Sequence, residues 1–581
     1  MPKIEVHETT FWKLLGKRLP DSELASILTA AKAEFDGRDD SAGMLKIELN
    51  DTNRPDLWST AGLARQLRVF LGGAAPHYAF FSAASETKDS GRRKVVVDKA
   101  LREIRPYIVA FAITGKELDD PGLKDIIQSQ EKLCWNFGRR RKTIAMGIYR
   151  SDIIAYPVKY FAADPEKTRF IPLGLEKELN LKEILKEHPK GQEFGYIMEG
   201  FKKFPFLTDS NGEVLSFPPV INSAYVGAAR VGDRELFIEL TGTDIQSLLL
   251  SASITACGLS DLGFTILPVK VEYPYDTPLG REIVMPYYFQ EPVTLNIRHA
   301  NKLLGENLSA AEAARYIEKI GCRAKVEGDS ITVMPTPYRN DFLHPVDVIE
   351  DIMIGRGMES FVPVMPTDFT VGRLSPATLF GRRVKDIMTG LGYQEMVYSY
   401  LGSEKDFIEK MYPGGTGAEA QAKIIRIENP MTESYEYVRP SILPNLLSSE
   451  SVSGNAVYPH TIFEIGKVAF RDSDDNYGTK TRNYLGFLAA DKEAGFNLAS
   501  SHVSALFFYL PKEYTLTETE DPRFIRGRSA LILYKGRQAG ILGEVHPAVL
   551  ENWGIQIPCI VCEIDLDLLM DVTEENLWML P

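Results

Sequence analysis

Four carboxylates crowd the stretch Asn340-Asp341-Phe342-Leu343-His344-Pro345-Val346-Asp347-Val348-Ile349-Glu350-Asp351. Pro345 suits the first turn of a helix, where its missing N–H costs nothing. A helix starting there sets Asp347, Glu350 and Asp351 at i, i+3 and i+4, on one face. Val346, Ile349, Ile352 and Met353 then fall on the opposite face, free to be buried. Asp341 lies in the preceding loop and can fold back onto the acids. Four converging carboxylates repel one another unless a positive group sits among them. An all-oxygen set suits a hard cation, and Mg²⁺ typically keeps several waters besides one or two carboxylates. Two other readings stand beside the metal. One is a solvated acidic face near a helix N-terminus, where acids are favoured. The other is a surface that pairs with an arginine-rich partner.

A second set of residues suggests contact with phosphate. Arg139-Arg140-Arg141-Lys142 follows Gly138 at a helix-to-strand junction. Such a run either grips phosphate or is a solvated turn. Arg92-Arg93-Lys94 is a weaker copy. Phe237-Ile238-Glu239-Leu240-Thr241-Gly242-Thr243-Asp244 reads as an alternating strand running into a capped helix, with Glu239 and Thr241 on one strand face. Taken alone, these two are surface polars. Asn211-Gly212 marks a hairpin between short strands. Cys559 and Cys562 form a lone CxxC in a strand-like run, where i and i+3 face opposite sides, so zinc is not expected. Neither a GxxxxGK[ST] loop nor a GxGxxG followed by a ribose-binding acid occurs.

The elements that must position these groups follow from caps and periodicity. Residues 61–71 predict a helix stopped by Gly72-Gly73. The polar stretch 82–91 reads as a linker. Residues 94–285 form a long mixed region with strand-like runs such as 107–113 and an amphipathic helix through Leu123, Ile126, Ile127, Gln130, Leu133, Cys134 and Phe137. In the next block Ser309 and Glu312 form a capping box, Gly321 stops that helix, and Gly328-Asp329 turns a hairpin. Ser375-Pro376 caps a helix that ends at Gly392. Residues 412–420 read as a loop. Arg54-Pro55-Asp56-Leu57 and Arg339-Asn340-Asp341-Phe342 share an Arg-x-Asp-apolar pattern just before a helix, which suggests a duplicated small helical module.

Composition sets the outer limits. The chain has 581 residues, a net charge of −13, five cysteines, 44% hydrophobic and 25% charged residues. That length predicts several domains of an ordinary globular protein. The cysteines are too few for a disulfide framework, no apolar run spans a bilayer, and the N-terminus does not read as a signal peptide. The acidity argues against nucleic acid over the whole surface, leaving local basic patches.

With these motifs in hand, the sequence resembles the beta subunit of phenylalanyl-tRNA synthetase over nearly its whole length. The resemblance rests on Asn53-Arg-Pro-Asp56 with Gly62-Leu-Ala-Arg65, Thr208-Asp-Ser-Asn-Gly212, and Leu215-Ser-Phe-Pro-Pro219 with Asn222. It continues through Phe237 to Asp244 and the acidic block. The last region adds Glu428-Asn-Pro430, Arg439-Pro-Ser-Ile-Leu-Pro444, Phe463-Glu-Ile-Gly466, Gly543-Glu-Val-His-Pro547 and Glu563-Ile-Asp-Leu-Asp567. Their order and spacing resemble the short archaeal and eukaryotic cytosolic type, with no room for an inserted OB-fold module or a C-terminal anticodon-binding extension.

The resemblance implies an α+β multidomain fold. Its parts are an N-terminal module over 1–85, a mixed α/β editing domain over 90–286, a winged-helix-like magnesium-site module over 290–364, and a class II synthetase-like antiparallel sheet domain without catalytic residues over 368–581. It implies a cytoplasmic heterotetramer of two alpha and two beta chains that binds tRNA(Phe), with ATP used mainly by the alpha subunit. Class II adenylation needs arginines on the ATP phosphates, because charge develops there, and the last region offers no late GxGxxxR-type segment. The resemblance implies Mg²⁺ at Asp341, Asp347, Glu350 and Asp351. By position it places the editing residues at Leu207, Ser216, Glu239 and Thr241. Glu239 would contact a tyrosine hydroxyl, and Thr241 and Ser216 would position the ester or a water.

Overall fold

The computed structural model describes residues 2–83, 92–454 and 457–570. The linker expected at 82–91 lies mostly outside the described residues. The chain divides into two compact units, 1–365 and 366–581. In the first unit, a small module opens with the strand Lys3–His7, whose Ile4 and Val6 alternate inward. The helix Glu8–Leu15 follows at once and ends on Gly16, in the left-handed conformation that glycine adopts without penalty. A second helix, Asp21–Leu28, leads to strands Ala33–Asp39 and Met44–Leu49, and the latter takes the middle of a three-stranded antiparallel sheet. The helix Thr60–Phe70 closes the module. Ser59 caps it by accepting from the Gly62 amide, and Gly62 is needed because a Cβ there would lie 1.8 Å from the Asp56 carbonyl oxygen.

The same order recurs further along. Strand Val293–Asn296 runs into helix Ile297–Leu304, which ends on left-handed Gly305. Helix Ala310–Lys319 carries the Ser309/Glu312 capping box. Strands Arg323–Glu327 and Ser330–Met334 turn at Gly328-Asp329, with the last strand again central. Helix Pro345–Arg356 then follows the second Arg-x-Asp.

Between these modules lies a ten-stranded sheet. From one end its order is Ile221–Asn222, Val214–Phe217, Phe204–Thr208, Val158–Ala163, Lys94–Val97, Thr265–Thr277, Tyr107–Thr114, Leu236–Gly242 and Ile144–Arg150, with Gly280–Met285 also paired to Thr265–Thr277. The helix Ile245–Asp261, capped by Asp244, packs over Tyr107–Thr114 and Leu236–Gly242. Two contacts tie the far ends of this sheet together. Tyr149 on the last strand bonds Ser216 near the first, and the Arg141 guanidinium donates to the Pro219 and Val220 carbonyls. The sheet therefore curls onto itself, as twisted sheets of about this size tend to do.

The second unit is built on a seven-stranded sheet that is antiparallel except for its short edge strand Gln394–Glu395. Helix Pro376–Gly390, capped by Ser375, and helix Phe496–Tyr509 cover one face. Cys559 and Cys562 fall in separate apolar cores, as the alternation of a strand requires. Residues 412–420, expected as a loop, contain the 3-10 turn Pro413–Gly415 and the start of helix Ala418–Lys423. Among the described residues no helix is long and apolar enough to cross a membrane.

Candidate functional site

Leu207, Ser216, Glu239 and Thr241 are buried in the curled sheet. Leu207 and Ser216 face each other across the hairpin that turns at Asn211-Gly212. Asp209 holds that turn by accepting from the Asn211, Glu213 and Ala155 amides. Glu239 and Thr241 share one face of Leu236–Gly242, but they are not the surface polars that alternation alone suggests. Glu239 is 2% exposed and Thr241 is fully covered. This strand is flanked by Tyr107–Thr114 and Ile144–Arg150, so it is internal to the sheet, and the curl of the sheet covers the polar face.

Small residues stand opposite Glu239: Ala110 on one neighbouring strand and Gly147 on the other. The Tyr149 phenol lies over Gly147, and its hydroxyl is 2.9 Å from Glu239 Oε1 and 2.8 Å from Ser216 Oγ. Its one proton goes to the carboxylate while Ser216 donates back. Glu239 Oε2 is buried with no hydrogen-bond partner. Burial pushes the Glu239 carboxyl up to about 7, against the opposing pull of Tyr149 and Arg105. Near neutral pH it is thus both an acceptor and a donor of protons, the range suited to general acid–base work.

Arg105 sits behind Thr241. Its Nε donates to Thr241 Oγ1 at 3.0 Å, and its Nη atoms reach the carbonyls of Thr241, Arg141 and Lys142. Ser216 has Tyr149 rather than a base beside it, so a serine nucleophile is not assembled. The geometry fits a positioned water, a polar selector and a buried cation. Sequence reasoning missed Tyr149 and Arg105. Neither belongs to a motif, and each reaches the site from a strand or turn remote in sequence.

Three successive residues of the basic run, Arg139, Arg140 and Arg141, have positive φ, a costly conformation for residues bearing a Cβ. The turn follows a π-helical segment, Leu133–Phe137. Arg139 and Arg140 remain exposed, whereas Arg141 packs 4.2 Å over Phe194 and ties the sheet ends.

The acidic block does not converge. Arg339 forks onto both Asp341 oxygens and also onto both oxygens of Asp351. Asp347 caps its own helix, with Oδ2 accepting from the Leu343 and His344 amides at 2.7 Å. Glu350 Oε1 accepts from Lys32 at 2.6 Å. The expected single acidic face is also corrected: Asp351 is 2% exposed on the packed side, and Val346, expected inside, is 43% exposed. The wide helical arc that packs on the core takes in Asp351 because Arg339 neutralises it. Burial works against the Asp341 charge, but Arg339, with Arg54 beyond it, overcomes this and holds its carboxyl at about 2. Among the described residues no three His, Cys, Asp or Glu side chains gather as a metal site, and a four-carboxylate magnesium shell does not fit this arrangement. Only Asp347 and Glu350 keep an oxygen outside these bonds.

The module repeat, the curled sheet and the seven-stranded domain define a multidomain mixed α/β chain. A family model described as "Phenylalanyl tRNA synthetase beta chain CLM domain" matches residues 360–566, and "tRNA synthetase B5 domain" matches 293–358. Among curated proteins, the "Phenylalanine–tRNA ligase beta subunit" of Borreliella burgdorferi (strain ZS7) is 47% identical over 98% of this chain and 100% of its own length. That of Borrelia turicatae (strain 91E135) is 48% identical over 98% and 100%. A crystal structure of an N-terminal fragment of the phenylalanyl-tRNA synthetase beta subunit from Pyrococcus horikoshii is 33% identical, with a TM-score of 0.57 over 61% of this chain and 100% of that one. The chain belongs to the family of phenylalanine–tRNA ligase beta subunits. The archaeal and eukaryotic cytosolic type is not confirmed: the two curated relatives named here are bacterial, and this chain covers their whole length.

Proposed function

We propose that this chain acts in a cytoplasmic phenylalanine–tRNA ligase of two alpha and two beta subunits. The alpha subunit performs the ATP-dependent charging of tRNA(Phe), and this chain removes tyrosine attached in error. The division into domains over 1–85, 90–286, 290–364 and 368–581 goes with this reading. The last of these is a class II-like, non-catalytic scaffold, and 290–364 is a winged-helix-like module. The observation that carries the editing reading is the buried Glu239 carboxyl with an unpartnered oxygen, set beside Thr241 and the Arg105 cation. An apolar pocket rejects a substrate that adds one hydroxyl by only about a hundredfold. A second site that offers a hydrogen bond to that hydroxyl discriminates far better, because an unmet buried polar group is costly. Glu239 supplies that contact, Thr241 and Ser216, with Arg105 behind Thr241, order the ester or the attacking water, and Leu207 is buried opposite Ser216 across the hairpin.

Magnesium enters this reading through Asp347 and Glu350, one helical turn apart, with waters completing the shell. Asp341 and Asp351 are engaged by Arg339 and stand behind them. No step of editing is routed through the ion. The test is hydrolysis of Tyr-tRNA(Phe) by the assembled complex. Glu239→Ala and Thr241→Ala are each expected to lower it at least tenfold while charging with phenylalanine persists. Unchanged hydrolysis in both variants overturns the assignment.

A further inference from the structure

Glu239 has two oxygens, and the fold treats them differently. Oε1 is held by the Tyr149 hydroxyl, itself bonded to Ser216, while Oε2 has no partner although it is fully buried. The arrangement depends on Gly147. A Cβ at that position would lie 2.0 Å from the Tyr149 hydroxyl oxygen and 2.6 Å from Glu239 Oε1. The bare backbone at 147 is what lets a phenol from the same strand reach across to the carboxyl. Phe237 packs on the Tyr149 ring at 6.1 Å between centroids and fixes its plane. Four titratable or charged groups among the described residues face Glu239: Tyr149, Arg105, which is bonded to Thr241, Tyr160, whose hydroxyl donates to the Arg105 carbonyl, and the buried thiol of Cys134.

We propose that Tyr149 is a positioning residue for specificity: a built-in phenol that occupies Oε1 of Glu239 and leaves Oε2 as the single oxygen able to bind a tyrosyl hydroxyl. This inference rests on the editing reading above. It reassigns Ser216, which acts through Tyr149 rather than on the ester. With Oε1 occupied, the carboxyl cannot swing or rehydrate symmetrically, so the selector is a fixed point. A substrate ring with a hydroxyl satisfies Oε2. A phenylalanyl ring leaves that oxygen buried and unmet, and is rejected.

The test uses the complete complex and compares deacylation of Tyr-tRNA(Phe) with that of Phe-tRNA(Phe). Tyr149→Phe removes one hydroxyl and keeps the ring, so the fold should survive, checked by an unchanged melting curve. A hydrogen bond to a charged group contributes about 1.5–3 kcal/mol, equivalent to roughly ten- to a hundredfold. The preference for the tyrosyl ester should fall by that factor, in KM more than in kcat. Because the Tyr149 bond opposes the rise of the Glu239 carboxyl, its loss moves the pH midpoint of hydrolysis upward from about 7. Ser216→Ala should shift preference and midpoint in the same direction by less. If Glu239→Ala abolishes editing while Tyr149→Phe keeps both the wild-type preference and pH midpoint, this inference falls and the editing site stands. If Glu239→Ala itself edits normally, the editing reading falls first.

Discussion

The two small modules of the first unit are built alike and used differently. Each runs strand, helix, helix, strand, strand, helix, with the last strand in the middle. Each places a buried arginine just before its final helix and forks it onto the aspartate two residues on: Arg54 onto Asp56, Arg339 onto Asp341. Each arginine also reaches a residue twelve positions later, and here they part. Arg54 meets the neutral amide of Gln66, whereas Arg339 meets the carboxylate of Asp351. At the same spacing, Gly62 and Arg65 of the first module correspond to Asp347 and Glu350 of the second. The comparison sorts the four acids. Asp341 and Asp351 belong to a shared internal frame, and Asp347 and Glu350 are what the second module has added. Arg65 turns inward to Asp261 and lies 3.8 Å over the Tyr338 ring, while Glu350 reaches across to Lys32 of the first module.

Hydrogen exchange over each module breaks or sharpens this sorting. Arg339→Met strands two buried carboxylates and should destabilise residues 293–358 by about 3–5 kcal/mol. Arg54→Met strands only Asp56 and should cost residues 2–71 less, so equal losses would break the distinction. Asp351→Gln copies the first module's fork and should cost only about 1 kcal/mol, since a partner for Arg339 is kept. Acid provides a milder probe. Asp341 is held at about 2, below its unfolded value near 3.9. Its contribution is therefore complete above about pH 4 and is lost as the pH falls toward 2. Exchange protection of 345–356 that vanishes above pH 4 contradicts the pairing. Glu350→Ala should be the smallest effect, a few tenths of a kcal/mol, because its ion pair is partly exposed.

Much of the framework was legible because it is written in local signals. The caps at Ser309 and Ser375, the first-turn Pro345, the stop at Gly321 and the Gly328-Asp329 turn each act within a few residues. The Arg-x-Asp echo pointed to the duplication. The burial of Asp351 is not legible in its helical period, because the side chain that neutralises it, Arg339, lies outside that helix. Glu239 and Thr241 stand out in the sequence only through the family resemblance, and their burial depends on the curl of ten strands. Tyr149 carries no motif at all, and its meaning comes from what it meets 67 and 90 residues away.

That curl has a consequence for how the chain comes to function. The bonds that make the site join residues separated by 67, 90 and 136 positions, and contacts between remote positions are slow to form, because loop closure must precede them. The small modules, rich in short-range contacts, can order first. The candidate site, lying where opposite margins of the sheet meet, comes into being only when the last of its strands is in register. A nascent or locally opened chain therefore lacks the assembled Glu239–Tyr149–Ser216 cluster.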